Sequence, residues 1–342
     1  MPRDAHLVGS LPGNSAAEAM STALDVLGPH LRSLPDGETG ERRNWVQSII
    51  NSLRDHPALE VRKDGDWSDY DKTPQLRIRK GRRLYGANLD FGHVDATRQS
   101  FPEFERLKAE RGLADLVFQQ GVPGDLDMAM FTLGPNGALR HRRPFTEATL
   151  AEIKGVAAIS GPDTLFQIEV PAELTFLAKA PGPARPQLAR VFARAIVGLA
   201  AASPPGTRFA VHLCLGDMNN RAFATMGDVT PLVLLCNAIT STWPADRPLE
   251  LVHAPFAAPD HPGSTDPAFY APLSGLELQP DIRFAAGIAH EAQDLGPQRG
   301  IRDMIEDRLV RHVAIAAACG LGRRSEQAAR ANLERTAELC DD

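Results

Sequence analysis

The chain has 342 residues, 43% of them apolar, which is ample for a large core. Its formal charge is −6, and its densest basic cluster (Arg79, Lys80, Arg82, Arg83) reads as a solvated loop, so a nucleic-acid partner is not expected. No apolar run approaches the ~20 residues of a membrane span and the N-terminus carries no secretory pattern, so the expected setting is cytoplasmic with no membrane partner.

Eight strands are predicted in chain order. The first covers residues 5–9, and the helix after it opens with a capping box, Ser15-Ala16-Ala17-Glu18, and stops at Gly28. A weaker second strand, 31–34, runs into Pro35-Asp36-Gly37-Glu38. A long polar excursion, 54–112, follows and reads as an insertion above the mouth of the fold, serving as a lid, a homodimer contact or a partner surface. Strands at 116–120, 165–170, 208–214, 249–253, 282–289 and 313–318 complete the set. Helical patterns at 146–158, 186–202, 229–240, 267–273 and 300–311 lie between them, and an amphipathic helix at 325–339 closes the chain.

Repeated strand–helix alternation means a parallel sheet with helices outside it. Eight such units predict an α/β protein, a (β/α)8 TIM barrel in a single domain over residues 1–342 with a long insertion after strand two. Functional side chains in such barrels sit at the C-terminal strand ends. Those ends carry Ser10, Glu38, Glu169, His212 with Cys214, His253, His290 and Cys319. No G-x-G-x-x-G follows a strand, which argues against a dinucleotide.

Of the four cysteines, Cys236 lies in an apolar helical run and Cys340 beside the C-terminus, so both read as structural. Cys214 and Cys319 each follow an apolar strand. His212-Leu213-Cys214 puts two soft ligands on one face of an extended segment, because side chains repeat every two residues there. A thiolate from Cys319 would complete a zinc site with one position left for substrate. The bland alternative is a pair of buried small thiols.

At these residues the chain resembles the catalytic barrel of cobalamin-independent methionine synthase, a zinc methyltransferase family. Val8-Gly9-Ser10-Leu11-Pro12, Asp36-Gly37-Glu38, Phe166-Gln167-Ile168-Glu169-Val170-Pro171-Ala172, His212-x-Cys214, Ile288-Ala289-His290 and Cys319-Gly320-Leu321 match its motifs in order. The resemblance implies zinc held by His212, Cys214 and Cys319. Where the family takes a further ligand from a Glu at the end of the sixth strand, this chain reads Leu249-Glu250-Leu251-Val252-His253, and His253 is favoured over Glu250. It also implies that Glu38 and Glu169 bind the amino group of a homocysteine-like thiol, that Ser10 receives its carboxylate, and that His290 protonates the leaving group. The chain has one barrel, like the short relatives, so the methyl donor is a folate, a corrinoid or another small methylated compound.

Zinc would keep a substrate thiol, whose pKa is ordinarily near 8.5, deprotonated and nucleophilic. Asp36 and Asp217 are read as residues that orient a loop or a ligand, and Trp67, Trp243 and Tyr270 as aromatics at the mouth. The plain alternatives are that Glu38 and Glu169 pair with Arg42 or Arg324 and that His290 is a core histidine. Two other functions stay open: a zinc-assisted lyase or demethylase, and a metal-free decarboxylase or binding barrel.

Overall fold

The structure, a computed structural model, describes residues 3–341. After a short extended segment at residues 4–6 comes α1 (Ala16–Leu27), capped as its sequence predicts. Ser15 Oγ accepts the N–H of Glu18 at 3.2 Å, and the Glu18 carboxylate reaches back to the N–H of Asn14 at 2.9 Å. β1 (Ser33–Pro35) leads to α2 (Trp45–Ser52), a hairpin of β2 (Leu59–Lys63) and β3 (Gln75–Ile78), and α3 (His93–Glu110). β4 (Val117–Pro123), α4 (Asp125–His141), α5 (Arg143–Ser160), β5 (Leu165–Val170), α6 (Pro171–Lys179) and α7 (Arg185–Ala202) follow. The chain continues through β6 (Arg208–Leu213), α8 (Thr230–Thr240), β7 (Leu249–Pro255), α9 (Pro267–Tyr270), β8 (Arg283–Ala289), α10 (Leu295–Leu309), β9 (Ala314–Ala317) and α11 (Glu326–Cys340).

Seven strands form one parallel sheet in the order β1-β4-β5-β6-β7-β8-β9, and β2 with β3 forms a separate antiparallel pair. The predicted first strand is reduced to Ala5, which bridges in parallel to Leu31 on one side and to Ile315 on the other. The reason lies just beyond it. The carbonyls of Leu7 and Val8 accept from the side-chain amide of Gln119 at 2.8 and 3.1 Å, and Val8 also accepts from Gln167 at 2.5 Å. Buried glutamines thus take carbonyls that a continuing strand would offer to its neighbours.

Four helices, α2, α3, α4 and α6, are additions to the sequence reading. In α4, Gly134-Pro135 reads as a breaker, and the structure does break there: Gly134 adopts φ 71°, ψ 169° between two helical halves. The excursion holds the β2–β3 pair as well as α3, an 18-residue helix.

Period-two alternation sorts the sheet into two faces. Phe166, Phe209 and Phe284 pack between sheet and helices, each burial contributing roughly 2–3 kcal/mol. The other face starts with small apolar residues, Leu165, Ala210, Leu251, Ala285 and Ala314. One or two steps further along β5, β6 and β7 the same face carries Gln167, Glu169, His212 and His253. Register then aligns the site, since Glu169 lies beside His212, and His212 beside His253.

Candidate metal centre and active-site cavity

Cys214 follows β6 two residues after His212, so both side chains leave the strand on the same face. Cys319 lies two residues beyond β9. The sulfurs of Cys214 and Cys319 are 3.7 Å apart, and Cys319 Sγ is 3.6 Å from His212 Nε2. No disulfide joins them, because all four cysteines are free. Among the described residues these three form a group whose ligand atoms all lie within 4.8 Å of one another. A tetrahedral ion with sulfur at ~2.3 Å and nitrogen at ~2.0 Å separates its ligands by roughly 3.8 Å (S···S) and 3.6 Å (S···N). The donor set therefore fits one soft divalent cation.

His253, the expected additional ligand, is not brought into this group. It stands behind His212, with its Nδ1 2.7 Å from Nδ1 of His212 and its Nε2 2.9 Å from the carbonyl of Ala317. The hydrogen bonds dictate the tautomers. A carbonyl only accepts, so His253 Nε2 carries the proton. Burial pushes His253 down to about 4, and burial with His253 beside it pushes His212 down as well, so both rings are neutral. His253 Nδ1 is then an acceptor and His212 Nδ1 must donate to it. That leaves the lone pair of His212 Nε2 facing Cys319, which is the form a metal requires. Glu250, the alternative ligand, is committed to Arg208 at the other end of its strand.

Both sulfurs have donors nearby. Gly216 N–H points at Cys214 Sγ at 3.3 Å, and Arg323 Nη2 lies 3.7 Å from Cys319 Sγ. Such donors favour the thiolate. Against them, Cys319 is pushed well up by its hydrogen bond to Cys214, by burial and by the second sulfur's charge. An ion between the sulfurs would relieve that repulsion.

Glu169 and Glu38 converge on the same region. A β-carbon at Gly121 would fall 3.0 Å from Glu38 Oε1 and 3.4 Å from Glu169 Oε1, and one at Gly9 would fall 2.8 Å from Glu38 Oε1. Glycine at both positions makes room for the carboxylates. Neither pairs with the arginine considered from sequence: Arg42 binds Asp36 at 2.7 and 3.1 Å, and Arg324 binds Glu291 at 2.9 Å. Burial pushes Glu38 up to about 7, only partly offset by Arg42, with Asp36 pushing the same way. Glu169 is pushed well above the usual carboxylate range, through burial, then Glu38, then Cys319. Gln167 Nε2 donates to Glu169 at 2.6 Å, and His6 Nε2 lies 2.8 Å from the oxygen of that same Gln167 amide.

Ser10 grips the cysteine loop. Its carbonyl accepts the N–H groups of Leu321 at 2.6 Å and Gly322 at 3.0 Å. Gly320 is obligatory here, since a β-carbon would land 2.3 Å from Ser10 Oγ. Asp36 holds Arg42 and the N–H of Glu38, while Asp217 holds Arg323 at 2.6 and 2.9 Å, so both acids fix loops as expected of them.

A cavity of about 340 Å³ opens over the sulfurs, lined by Glu169, Cys214, Asp217, Cys319 and Arg323 at its polar end. Trp67 lines it, whereas Trp243 packs edge-on against Phe209 and Tyr270 is fully buried with its hydroxyl on the Ser264 carbonyl. His290 does not line it. The His290 backbone is pinned by Gln298 at 3.0 and 2.9 Å, and its Nδ1 accepts from Ala292 N–H at 3.1 Å. Arg323 and Tyr70 went unassigned in sequence. Their signals were the spacing of four from Cys319 and an aromatic residue in a polar excursion. The Tyr70 hydroxyl donates to the Arg221 carbonyl at 2.8 Å and accepts from Met218 N–H at 2.9 Å, tying the hairpin to the loop after Cys214.

No described helix is long and apolar enough to cross a membrane. No sequence-family description and no curated protein matches the chain. Solved structures do match. A B12-independent methionine synthase from Shewanella sp. W3-18-1, in complex with selenomethionine, superimposes with a TM-score of 0.60 at 13% identity, over 99% of this chain and 98% of that one. A methyltransferase from Methanosarcina mazei gives 0.55 at 10% identity, over 98% and 93%. A Listeria monocytogenes protein described as a vitamin-B12-independent methionine synthase gives 0.50 at 11% identity, over 100% and 98%. Over nearly its whole length, the chain has the fold of cobalamin-independent methionine synthase structures.

Proposed function

We propose that the chain is a zinc-dependent methyltransferase that alkylates a small thiol, on a barrel closed into eight members by residues 4–6 between the Leu31 segment and β9. We read residues 1–342 as a single domain, with 54–112 arching over the mouth. The observation that carries the reading is the His212–Cys214–Cys319 group, with its 3.7 and 3.6 Å separations, on the floor of an apolar cavity. When bound, zinc supplies the acidity that keeps a thiol ionised at neutral pH.

The chain's own residues do the rest. His212, Cys214 and Cys319 are the zinc ligands in this reading, and His253 acts through His212, holding its Nε2 lone pair toward the ion. Glu38 and Glu169 form a buried, cation-deficient pocket. An ammonium group set between them would remove their mutual repulsion, which suits a homocysteine-like acceptor. Ser10 and the backbone around it would receive the acceptor's carboxylate. Arg323, clamped by Asp217, holds the Cys319 side of the cavity.

The test uses cobalt-substituted protein, whose charge-transfer band reports the ligand set. Adding homocysteine should shift that band, and S-methylhomocysteine should form from at least one donor among methyltetrahydrofolate, a methylcorrinoid and a methylsulfonium. A cobalt spectrum indifferent to homocysteine would overturn the acceptor assignment. A shifted band without methylated product from any of the donors would favour a lyase or demethylase.

A further inference from the structure

We propose that the methyl donor is a small onium ion, a methylsulfonium or quaternary methylammonium, held in an aromatic cage above Cys214 and Cys319. This rests on the reading that those sulfurs hold a metal-activated acceptor thiol, and it names the donor that the reading leaves open.

The first observation is the wall. Trp45, Trp67, Tyr70, Phe131, Phe176 and Phe223 all line the cavity of about 340 Å³. The negative faces of such rings attract a desolvated cation, and quaternary ammonium groups are recognised this way. Phe223 closes the wall from behind, with Lys179 Nζ 3.4 Å from its centroid and Tyr70 stacked on it at 4.4 Å, so the faces left for a cation belong to the other rings.

The second is charge. The ionisable groups on the cavity wall are Glu169, Asp217, the two cysteines, the Tyr70 phenol and a single cation, Arg323. Arg323 is spent on Asp217 through two nitrogens and on the Arg43 carbonyl through the third. On the wall itself a carboxylate or phosphate tail meets no uncommitted cation, since Lys179 sits over Phe223 and does not line the cavity, whereas a positive donor meets aromatic faces.

The third is how the cage is built. Trp67 holds a left-handed backbone at φ 61°, which is unfavourable for a bulky side chain. Asn219, itself at φ 57°, keeps it there by donating from Nδ2 to the Trp67 carbonyl at 2.9 Å. The fold spends backbone strain to set this ring over the cavity.

The chemistry agrees. The acceptor thiolate's lone pair forms the new S–CH3 bond as the donor's S–CH3 or N–CH3 bond breaks. The electron pair goes to the donor heteroatom, which leaves as a neutral sulfide or tertiary amine. No proton is transferred, so the reaction has no need of His290, which does not line the cavity.

The test is binding to the full chain, with and without zinc, read by the fluorescence of Trp45 and Trp67. Choline serves as the cation and 3,3-dimethylbutan-1-ol as its neutral isostere. Choline should bind at least about tenfold tighter. That preference should fall toward parity in Trp67→Leu and survive in Trp67→Phe, which also controls for folding. Trimethylsulfonium should then methylate homocysteine only in the zinc form. Equal or tighter binding of the neutral alcohol would overturn the proposal, as would displacement of choline by methyltetrahydrofolate at comparable concentration. Cation preference without thiol methylation would leave the cage standing and sink the methyltransferase reading instead.

Discussion

Two glutamates where the strands finish, Glu38 and Glu169, are treated in the opposite way to the acids where the strands begin. Where the strands begin, acids are paired. Glu306 accepts from Arg3 at 2.7 and 2.8 Å and from Val313 N–H at 3.0 Å, and His312 Nδ1 lies 3.1 Å away. Burial works to raise its pKa, but these partners overcome it and hold the group at about 2. Asp4 binds Arg32 at 2.5 Å, and Glu250 binds Arg208 at 3.0 Å. Where the strands finish, Glu38 stands at about 7 and Glu169 is pushed well above the usual carboxylate range, because their partners offset burial only in part. One end is organised for stability. The other keeps two carboxyl groups buried without an arginine or lysine bound to them, which costs stability once they ionise and suits a cationic ligand.

The comparison can be broken in order of expected effect. Replacing His253 with Phe removes the acceptor that fixes the His212 tautomer. It should weaken zinc binding roughly 10–100-fold in chelator competition, and His253→Gln should recover part of that loss. Equal affinity in the wild type and His253→Phe would refute the tautomer argument. At the opposite end, Glu306→Gln should cost about 2 kcal/mol at pH 7, seen as a lower thermal midpoint with unchanged zinc affinity. The sign follows from the depressed pKa: the wild-type advantage is complete above the ordinary carboxyl value near 4.5 and disappears as pH falls toward 2. An advantage that persists at pH 2 would contradict the assignment.

Glu38→Gln should act in the reverse sense. A carboxyl raised to about 7 costs the fold stability as pH rises above the ordinary value near 4.5, and in full above 7, so the metal-free variant should gain at least about 1 kcal/mol at pH 8 and nothing well below pH 4.5. Acceptor binding should weaken in the same variant. A variant less stable than wild type at pH 8 would show that Glu38 is structurally satisfied after all.

Much of this contrast was readable from sequence, and what was not has identifiable causes. The strands were legible because apolar runs with period two leave little choice of face, and His212-x-Cys214 declared its geometry through that same period. The first strand was overcalled because its carbonyls are taken by Gln119 and Gln167, from strands more than a hundred residues away. His253 was read as a strand-end ligand, whereas β7 runs on to Pro255 and the His253 ring is held by His212 and by a single carbonyl, Ala317, from two strands over. The helix α4 was hidden by Gly134-Pro135, a break that the structure keeps inside one element. Of the aromatic wall only Trp67 was read from sequence, because Tyr70 and Phe223 lie about 150 residues apart and meet through ring stacking and the Tyr70–Arg221 hydrogen bond.

The most direct test of the account is the zinc content of purified protein and of its Cys214→Ser and Cys319→Ser variants, by mass spectrometry after remetallation and desalting. The account predicts about one zinc per wild-type chain and loss of it from both variants while they stay folded. A full complement of zinc in Cys319→Ser, or none in the wild type, would contradict it.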